Sequence, residues 1–409
     1  MDRRLRKDSI GQSQFAGTCH APAQRLQHPE QPGDVHERVD PRRVAVILGR
    51  GGYIGDGVAR LDQRVRTAQQ LVEAVRSLVP GIDEDRLQQM KAEFQDQLGP
   101  ERPEGSIGLV PNLAASRIAN RFDFRGPAYT VDAACASSLI AVDQAVDQLR
   151  SGRADLVLAG GVHHCHDLTL WSVFCQLRAL SPTGEIRPFS EAADGILVGE
   201  GTGVLVLKRL ADAERDGDRT YAVIRGTGVA SDGSGASLMS PAPAGQVLAV
   251  EHAWRASGLD PADVGLIEAH GTATPVGDRI ELETLRTVFG AADRSSARAG
   301  LGSVKSMIGH AMPAAGAAGL AKAALAIFHG ELPPTLHAEK PNPNINFAQT
   351  PFFVNHNLQD WPEPKSFPRR AGVSIDRPFR ACSSFVQREC SITPHWGSWH
   401  SHDGASHAL

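Results

Sequence analysis

Short apolar runs alternate with helical stretches through residues 44–373, and this alternation constrains the fold more than any other feature of the chain. The runs end at glycine or charged residues and fall at residues 44–48, 155–159, 203–207, 221–224 and 264–268. Continuous apolar runs of this length predict strands that are buried on both faces. Helical stretches lie between them, at residues 61–78, 84–98, 247–257 and 311–328. The chain is therefore predicted to be an α/β protein of layered sheets and helices.

Charge and composition exclude several classes of protein. The net charge of −4 leaves no basic excess to displace counterions from phosphates, which argues against a nucleic-acid-binding protein. Six cysteines in 409 residues are too few for a disulfide scaffold. No apolar run follows the basic start, as a secretory signal would require. The most apolar stretch, residues 311–328, contains Pro313 and Lys322 and predicts a buried helix rather than a membrane span. We therefore expect a cytoplasmic protein that binds no membrane.

The pattern divides the chain into three segments. Residues 1–43 are rich in Gln, Pro and Arg, have no helical or strand period, and are predicted to be disordered. Residues 44–373 form the predicted core. Residues 374–409 form an atypical tail, in which periodicity disappears from about Ile375 onward and the ending at residues 396–404 is predicted to be neither strand nor helix. The tail histidines could hold a metal or could belong to an exposed irregular segment, and no pair of them has the i, i+4 spacing of a helical metal site.

Two segments of the core resemble each other. A short strand, a loop and the start of a helix of small residues occur at residues 129–150 and again at residues 301–328. A repeat of this kind predicts a fold of two similar halves.

A glycine-rich segment follows the first apolar run. The glycines of residues 49–55 have the spacing Gly-x-Gly-Gly-x-x-Gly, which departs from the dinucleotide-binding fingerprint. No strand ending in an acidic residue follows at the expected distance. A plain glycine turn and a nucleotide-dependent oxidoreductase are the two alternatives here, and the sequence favours the turn.

The segment around Cys135 could supply a nucleophile. Cys135 stands between an extended stretch, residues 129–131, and a helix whose apolar face is predicted to hold Leu139, Val142, Val146 and Leu149. A cysteine at a helix N-terminus is close to the positive end of the helix dipole, which favours the thiolate. Cys135 alone also fits a small buried hydrophobic residue.

Two histidines lie on glycine turns further along the chain. His270 follows the apolar run at residues 264–268, where catalytic groups often stand in open α/β sheets. His310 lies beside Gly309 at the start of the apolar helix, and Lys305 precedes it. A histidine at a helix N-terminus stays neutral and can donate a hydrogen bond to an oxyanion. Taken singly, a histidine in such a position is more often a structural hydrogen-bonding residue than a catalyst.

Taken together, these segments resemble the β-ketoacyl synthase family of the thiolase superfamily. The resemblance rests on residues 132–138 around Cys135, residues 268–278 around His270, and residues 303–316 around His310, with supporting matches at residues 177–182, 187–189, 193–195 and 199–203. It covers about residues 44–373 and is closest to synthases of iterative polyketides and polyunsaturated fatty acids. It implies a thiolase-like layered α-β-α-β-α fold of two similar halves, incomplete at both ends.

The resemblance also implies a mechanism. Cys135 would accept an acyl chain from the phosphopantetheine of an acyl carrier protein, and His270 and His310 would support decarboxylation of a malonyl thioester and condensation. Lys305 would pair with Glu281 and hold the histidines in place. Thr272, Thr274 and Phe174 would contact substrate. Two histidines indicate the chain-elongating subclass. A homodimer is implied, with no metal and no tightly bound cofactor.

The chain departs from the family at both ends. Where the family has a Gly- and Phe-rich loop after residue 373, the sequence reads Ser-Ile-Asp-Arg-Pro-Phe-Arg-Ala-Cys-Ser over residues 374–383. Upstream, residues 1–43 stand where the family has a further core strand. One hypothesis is that both ends come from out-of-frame translation or a damaged gene copy. The alternative function is therefore a catalytically impaired homologue that binds a carrier protein or a second copy of the chain.

Overall fold

The computed structural model describes residues 39–52, 55–100, 109–164, 167–233, 243–290, 299–375, 381–387 and 407–408. Within these residues eleven strands join in one sheet and two short strands form a separate pair. The strands are β1 (Val44–Gly49), β2 (Ala128–Val131), β3 (Leu156–His163), β4 (Gly201–Arg209), β5 (Val223–Ala230), β6 (Leu266–Glu268), β7 (Ala299–Gly302), β8 (Glu331–Leu332), β9 (Phe352–Val354), β10 (Gln359–Asp360), β11 (Arg370–Ile375), β12 (Ala381–Gln387) and β13 (His407–Ala408).

The helices of the described residues lie between these strands. They are α1 (Asp56–Asp62), α2 (Ala68–Leu78), α3 (Glu84–Gln97), α4 (Leu113–Arg121), α5 (Ser137–Arg150), α6 (Leu168–Gln176), α7 (Leu210–Asp216), α8 (Pro243–Ser257), α9 (Pro275–Phe289), α10 (Lys305–Ile308) and α11 (Ala315–His329). A π-helical segment, Gln63–Thr67, joins α1 to α2.

The sheet contains the same strand arrangement twice. In the first half β1 lies parallel to β2 and β3, and β3 lies antiparallel to β4. In the second half β6 lies parallel to β7 and β11, and β11 lies antiparallel to β12. The strand β13 joins the halves, because it pairs antiparallel with both β4 and β5. The prediction of two similar halves is confirmed.

Strand β1 shows why the core strands have continuous apolar sequences. Ala45 and Ile47 pack on one face in the same cluster as the residues of α5. Val46 and Leu48 pack on the other face against Ala115 of α4 and its neighbours. A strand covered by helices on both faces has no polar side, so its sequence does not alternate. Strand β6 repeats this arrangement, with Leu266 and Ile267 in different clusters.

The helices α5 and α11 form the central layer. Helix α5 packs on β1 and β3, α11 packs on β11, and the two helices contact each other. They approach closely, since a Cβ on Gly316 would lie 2.6 Å from Leu139 Cγ. Ser138 Oγ accepts the backbone N–H of Ala317 across this contact at 2.9 Å. The Ala- and Gly-rich sequence of α11 thus serves close packing between the halves.

The predicted elements agree with the structure in most places, and the prediction of an α/β fold is confirmed. The predicted apolar face of α5 is buried at all four positions. The strand predicted at residues 221–224 corresponds to β5, which begins later and runs further. The glycines of β5 interrupt the apolar run on which the prediction was based, so the run showed only part of the strand. A Cβ on Gly226 or Gly228 would lie within 2.4 Å of a carbonyl oxygen of α8, so these glycines permit close helix packing.

The tail contains the strands β12 and β13, although its sequence shows no period after about Ile375, and the ending at residues 396–404, predicted to be neither strand nor helix, lies outside the described residues. Strand β12 pairs with β11 on one side and with β5 on the other. Backbone hydrogen bonds to two neighbours hold such a strand in place, so it needs no apolar alternation. Residues 1–38 and the tail histidines before residue 407 lie outside the described residues.

One described segment, Met312–His329, is long and apolar enough to cross a membrane by length and composition alone. Of this segment 67% is buried inside the structure. It forms the central layer, as the prediction of a buried helix requires.

Candidate active site

Cys135 stands on a sharp turn between β2 and α5. A short 3-10 turn, Ala134–Ala136, precedes the helix, and Ala134 has a φ of 53° in the left-handed region. The Asp132 carboxylate accepts the N–H of Ala134 at 2.9 Å and the N–H of Gly52 at 2.9 Å. Side-chain bonds from Asp132 therefore hold a strained backbone in place, and strain of this kind clusters at active sites.

The Cys135 side chain is buried and faces His310. Its Sγ lies 2.9 Å from His310 Nε2, and both residues are 3% exposed. An imidazole at this distance can accept the thiol proton. The first turn of α5 contributes the positive end of its dipole to the same sulfur. Both effects favour a thiolate, so Cys135 has the surroundings of a nucleophile.

The backbone of His310 is fixed by a loop from the other half of the fold. Its N–H donates to Leu197 O at 2.7 Å, and its carbonyl accepts the N–H of Gly199 at 3.1 Å. No side chain fits at position 199, because a Cβ would lie 2.2 Å from Ile308 O. Gly309 has a φ of 72°, which turns the chain from α10 toward the imidazole.

His270 shares the site with His310. The two ring centroids lie 5.3 Å apart, with an interplanar angle of 85°. The N–H groups of His270 and Gly271 donate to the two oxygens of Glu281, at 2.6 and 2.8 Å. Glu281 on α9 therefore fixes the turn that carries His270. Three residues that are far apart in sequence, Cys135, His270 and His310, are brought together.

Buried ionisable groups lie behind the two histidines. Burial raises the pKa of Glu281 to about 7, against the opposing effect of its two backbone hydrogen bonds. Burial likewise raises the pKa of Asp278 to about 7, although it accepts the N–H groups of Phe189 and Ala273. Burial lowers the pKa of Lys305, and the carboxylates of Glu268 and Glu281 act in the opposite direction. Perturbed ionisable groups at a cleft are typical of active sites.

The predicted pairing of Lys305 with Glu281 is an interaction of charges, in which the Glu281 carboxylate opposes the lowering of the Lys305 pKa by burial. Among the described residues Lys305 Nζ makes no hydrogen bond, and no ion pair joins it to Glu281. The Glu281 oxygens face backbone N–H groups instead. Lys305 is fully buried close to several acidic groups, so it acts on them through its charge. Sequence spacing could not show which carboxylate the amine would approach.

A second buried pair was not predicted from the sequence. Glu268 ends β6 and forms an ion pair with Lys322 of α11 at 2.8 Å. A carboxylate that closes an apolar run suggested only the end of a strand. Lys322 in an apolar helix was a usable signal, since a buried lysine needs a partner.

The predicted substrate contacts lie around the same region. Thr272 and Thr274 are half-buried beside His270, with their hydroxyl oxygens 3.3 Å apart. Phe174 of α6 is half-buried and packs against the cluster that contains Cys135. Contact of these three side chains with substrate stays a prediction.

Gly49, the first glycine of the glycine-rich segment and the last residue of β1, serves packing. A Cβ on Gly49 would lie 2.6 Å from Ser137 C at the start of α5. Gly49 therefore lets β1 approach the helix that carries Cys135, which favours the glycine turn over a nucleotide site. Within the part of the chain that is described, no three His, Cys, Asp or Glu side chains are grouped to hold a metal ion.

The arrangement has the parts needed for acyl-transfer chemistry. Cys135 can attack a carbonyl and hold the acyl group covalently. The two imidazoles can donate hydrogen bonds to an oxyanion formed close to the sulfur.

Comparison with known proteins agrees with this geometry. Residues 37–213 match the β-ketoacyl synthase N-terminal domain, and residues 221–339 match the β-ketoacyl synthase C-terminal domain. A phenolphthiocerol/phthiocerol polyketide synthase from Mycobacterium bovis is 44% identical over 267 residues. A polyunsaturated fatty acid synthase from Thraustochytrium is 38% identical over 301 residues. These matches cover 65% and 72% of this chain but 14% and 11% of the relatives.

Solved ketosynthases have the same fold. The ketosynthase from module 6 of the bacillaene synthase of Bacillus subtilis is 31% identical, with a TM-score of 0.68 over 85% of this chain and 55% of its own. An oxazolomycin ketosynthase domain from Streptomyces albus is 32% identical, with a TM-score of 0.71 over 87% of this chain and 56% of its own. The two-half layered fold is thus thiolase-like, and the chain belongs to the β-ketoacyl synthase family.

Proposed function

We propose that this chain catalyses the decarboxylative condensation of a malonyl thioester with an acyl group held on Cys135. The observation that carries the proposal is the distance of 2.9 Å between Cys135 Sγ and His310 Nε2, with the His270 ring beside that pair. A nucleophile next to two imidazoles can form an acyl thioester and then stabilise an enolate at the same place.

In the first step the Cys135 thiolate attacks the acyl thioester on a carrier. A new C–S bond forms to Cys135, the C–S bond to the carrier breaks, and the carrier thiol leaves with a proton. The transfer holds the acyl carbonyl at the N-terminus of α5, where backbone N–H groups can stabilise its oxygen.

In the second step a malonyl thioester loses CO₂. The bond to the carboxylate breaks, and its electron pair passes into the thioester as an enolate. His270 and His310 donate hydrogen bonds to the enolate oxygen, and each preorganised donor contributes about 3–4 kcal/mol to such a state. The turns that hold both histidines are fixed before substrate enters, so little reorganisation is needed.

In the third step the enolate carbon attacks the acyl carbonyl on Cys135. A C–C bond forms, the C–S bond to Cys135 breaks, and the thiolate is regenerated. The product is a 3-ketoacyl thioester on the carrier. The similarity to polyketide and polyunsaturated fatty acid synthases supports a growing acyl chain of one of these classes as the substrate.

The partners are part of the proposal. A malonyl or acyl group of this kind is carried on the phosphopantetheine arm of an acyl carrier protein, which therefore serves as the donor. A homodimer is supported by β2, which lies at one edge of the sheet. An edge strand can pair with its copy across a two-fold axis and extend the sheet.

Intact-mass spectrometry tests the first step. Incubation with an acyl carrier thioester is expected to add one acyl group to the wild-type protein and none to Cys135→Ala. Cys175→Ala is the matched control, because Cys175 is an exposed free cysteine, and it should acylate normally. An adduct that persists in Cys135→Ala, or that disappears in Cys175→Ala, would refute the assignment.

A second assay tests the decarboxylation. Release of CO₂ from malonyl-carrier protein is expected in the wild type and is expected to fall about 100-fold or more in His270→Ala, since one oxyanion donor is lost. Equal release from both proteins would remove His270 from the reaction.

A further inference from the structure

A buried ion pair lies directly beneath the turns that carry the two histidines. Glu268 ends β6 two residues before His270, and Lys322 lies in α11, which follows His310. The carboxylate and the amine are 2.8 Å apart, with side-chain exposures of 2% and 10%.

The Glu268 carboxylate binds three parts of the fold at once. It belongs to the strand that leads into His270. It accepts the backbone N–H of Val304, the residue before α10 and Lys305. Through Lys322 it also holds α11. The strand leads into His270, Val304 precedes Lys305, and α11 follows His310, so one carboxylate connects the three segments next to these residues.

The surrounding sequence leaves space for this pair. A Cβ on Gly319 would lie 3.0 Å from Glu268 Cγ, and a Cβ on Gly302 would lie 3.3 Å from Lys322 Nζ. Side chains at these two positions would press on the carboxylate and the amine. The glycines of β7 and α11 therefore leave room for the Glu268 carboxylate of β6 to meet the Lys322 amine of α11.

Stability alone gives little reason for such a pair. The desolvation of two buried charges often exceeds their mutual attraction, and well-packed apolar residues can replace a buried pair without loss of stability. A role in fixing geometry explains the pair better, because the same carboxylate also accepts the N–H of Val304 and so connects three segments of the chain.

We infer that Glu268, held by Lys322, is a positioning residue that sets the spacing between His270 and His310. The inference rests on the proposed function, in which both imidazoles must reach one enolate oxygen. Acylation of Cys135 needs only the pair formed by Cys135 and His310. Decarboxylation needs both histidines and is therefore the step that depends on Glu268.

The kinetic test compares Glu268→Gln, Lys322→Met and the double variant. A displacement near 1 Å can cost about 100-fold in rate, so kcat for CO₂ release is expected to fall about 10- to 100-fold in all three. KM for malonyl-carrier protein and the rate of Cys135 acylation should stay within about threefold. Lys208→Met, which removes a similarly buried lysine from its ion pairs at the end of β4, is the matched control.

The double variant separates positioning from stability. Each single variant leaves one charge of the pair without its partner and should lower the unfolding temperature, whereas the double variant removes both charges of the pair and should recover part of that loss, since Glu281 still offsets the charge of Lys305. Release of CO₂ should stay low in the double variant. Recovery of the rate together with the unfolding temperature would overturn the inference.

A measurement without substrate keeps the inference testable if the proposed function fails. In protein labelled with ¹³C-histidine, the ring signals of His270 and His310 are expected to shift in Glu268→Gln and in the double variant, and to stay unchanged in Lys208→Met. Unchanged ring signals in the double variant would overturn the inference. Absence of CO₂ release from the wild type would instead contradict the proposed function.

Discussion

Replacing Glu281 with glutamine tests how the fold holds His270. The carboxylate accepts two backbone N–H groups, from His270 at 2.6 Å and from Gly271 at 2.8 Å, and Glu281 is 3% exposed. Glutamine keeps one acceptor oxygen but places an NH₂ group against the second N–H. One buried donor is then left without an acceptor.

The magnitude follows from that lost bond. A buried donor without a partner costs about 1–3 kcal/mol, and at roughly 2–4 °C per kcal/mol the unfolding temperature should fall by about 2–12 °C. The turn at His270 is loosened at the same time. One oxyanion donor is worth about 100- to 1,000-fold in rate, so partial misplacement of His270 should cost about 10- to 100-fold in CO₂ release.

The assay measures two steps in the same preparation. Release of CO₂ from malonyl-carrier protein reports the step that needs His270. Acylation of Cys135, measured by intact-mass spectrometry, reports the step that needs His310. Its rate should change by no more than about twofold, because Glu281 binds neither Cys135 nor His310. Glu283→Gln is the control, since this neighbour on α9 has a side chain that is 56% exposed and pairs with Arg279.

Two results would refute this reasoning. Release of CO₂ from Glu281→Gln at the rate of Glu283→Gln would show that the turn does not need the carboxylate. A parallel fall of acylation and decarboxylation would show that the substitution damages the whole site rather than the position of His270.

Three further predictions concern stability and packing. The pKa of Asp278 is about 7 in the folded state and 3.8 in the unfolded state, so the folded state holds the proton more tightly. The free energy of unfolding should therefore fall by up to about 4 kcal/mol as the pH rises from 4 through 7. Urea unfolding of Asp278→Asn should show a flatter pH dependence, and an unchanged slope would contradict this origin. Gly49→Ala places a Cβ 2.6 Å from Ser137 C and should slow acylation of Cys135. Gly201→Ala is the control, because the space around position 201 is open, and it should leave that rate unchanged. Equal acylation rates in the two variants would contradict the packing argument. Ser138→Ala removes the acceptor for Ala317 N–H and should lower the free energy of unfolding by about 1–3 kcal/mol. Ser151→Ala, at an exposed position, is the control and should change it by less than about 0.5 kcal/mol. Equal effects of the two substitutions would contradict the role of the bond between Ser138 and Ala317.

Several of the buried strands could be predicted from the sequence. Strand β1 has a continuous apolar sequence because helices cover both its faces, and this pattern is visible in the residues themselves. Cys135, His270 and His310 were expected to act together because the three segments that carry them jointly resemble one family, whereas none of the three residues indicated a site by itself. The structure adds that they share one site, with 2.9 Å from sulfur to nitrogen.

Other features could not be predicted because they depend on long-range contacts. Strand β12 is held by backbone bonds to β5 and β11, which leave no period in its own sequence. The choice of partner for Lys305 depends on burial and distance. The pair of Glu268 and Lys322 joins residues far apart in the chain, and although a lysine in an apolar helix signals that it needs a partner, nothing in the sequence shows that the partner is Glu268.

Product analysis tests the central claim most directly. Wild-type protein that has first been acylated on Cys135 is mixed with malonyl-carrier protein, and the carrier is then characterised by mass spectrometry. We expect a 3-ketoacyl thioester that is two carbons longer than the starting acyl group, together with deacylated Cys135, and no such product from Cys135→Ala. Consumption of malonyl groups without a lengthened product, or the same product from Cys135→Ala, would contradict the proposed condensation.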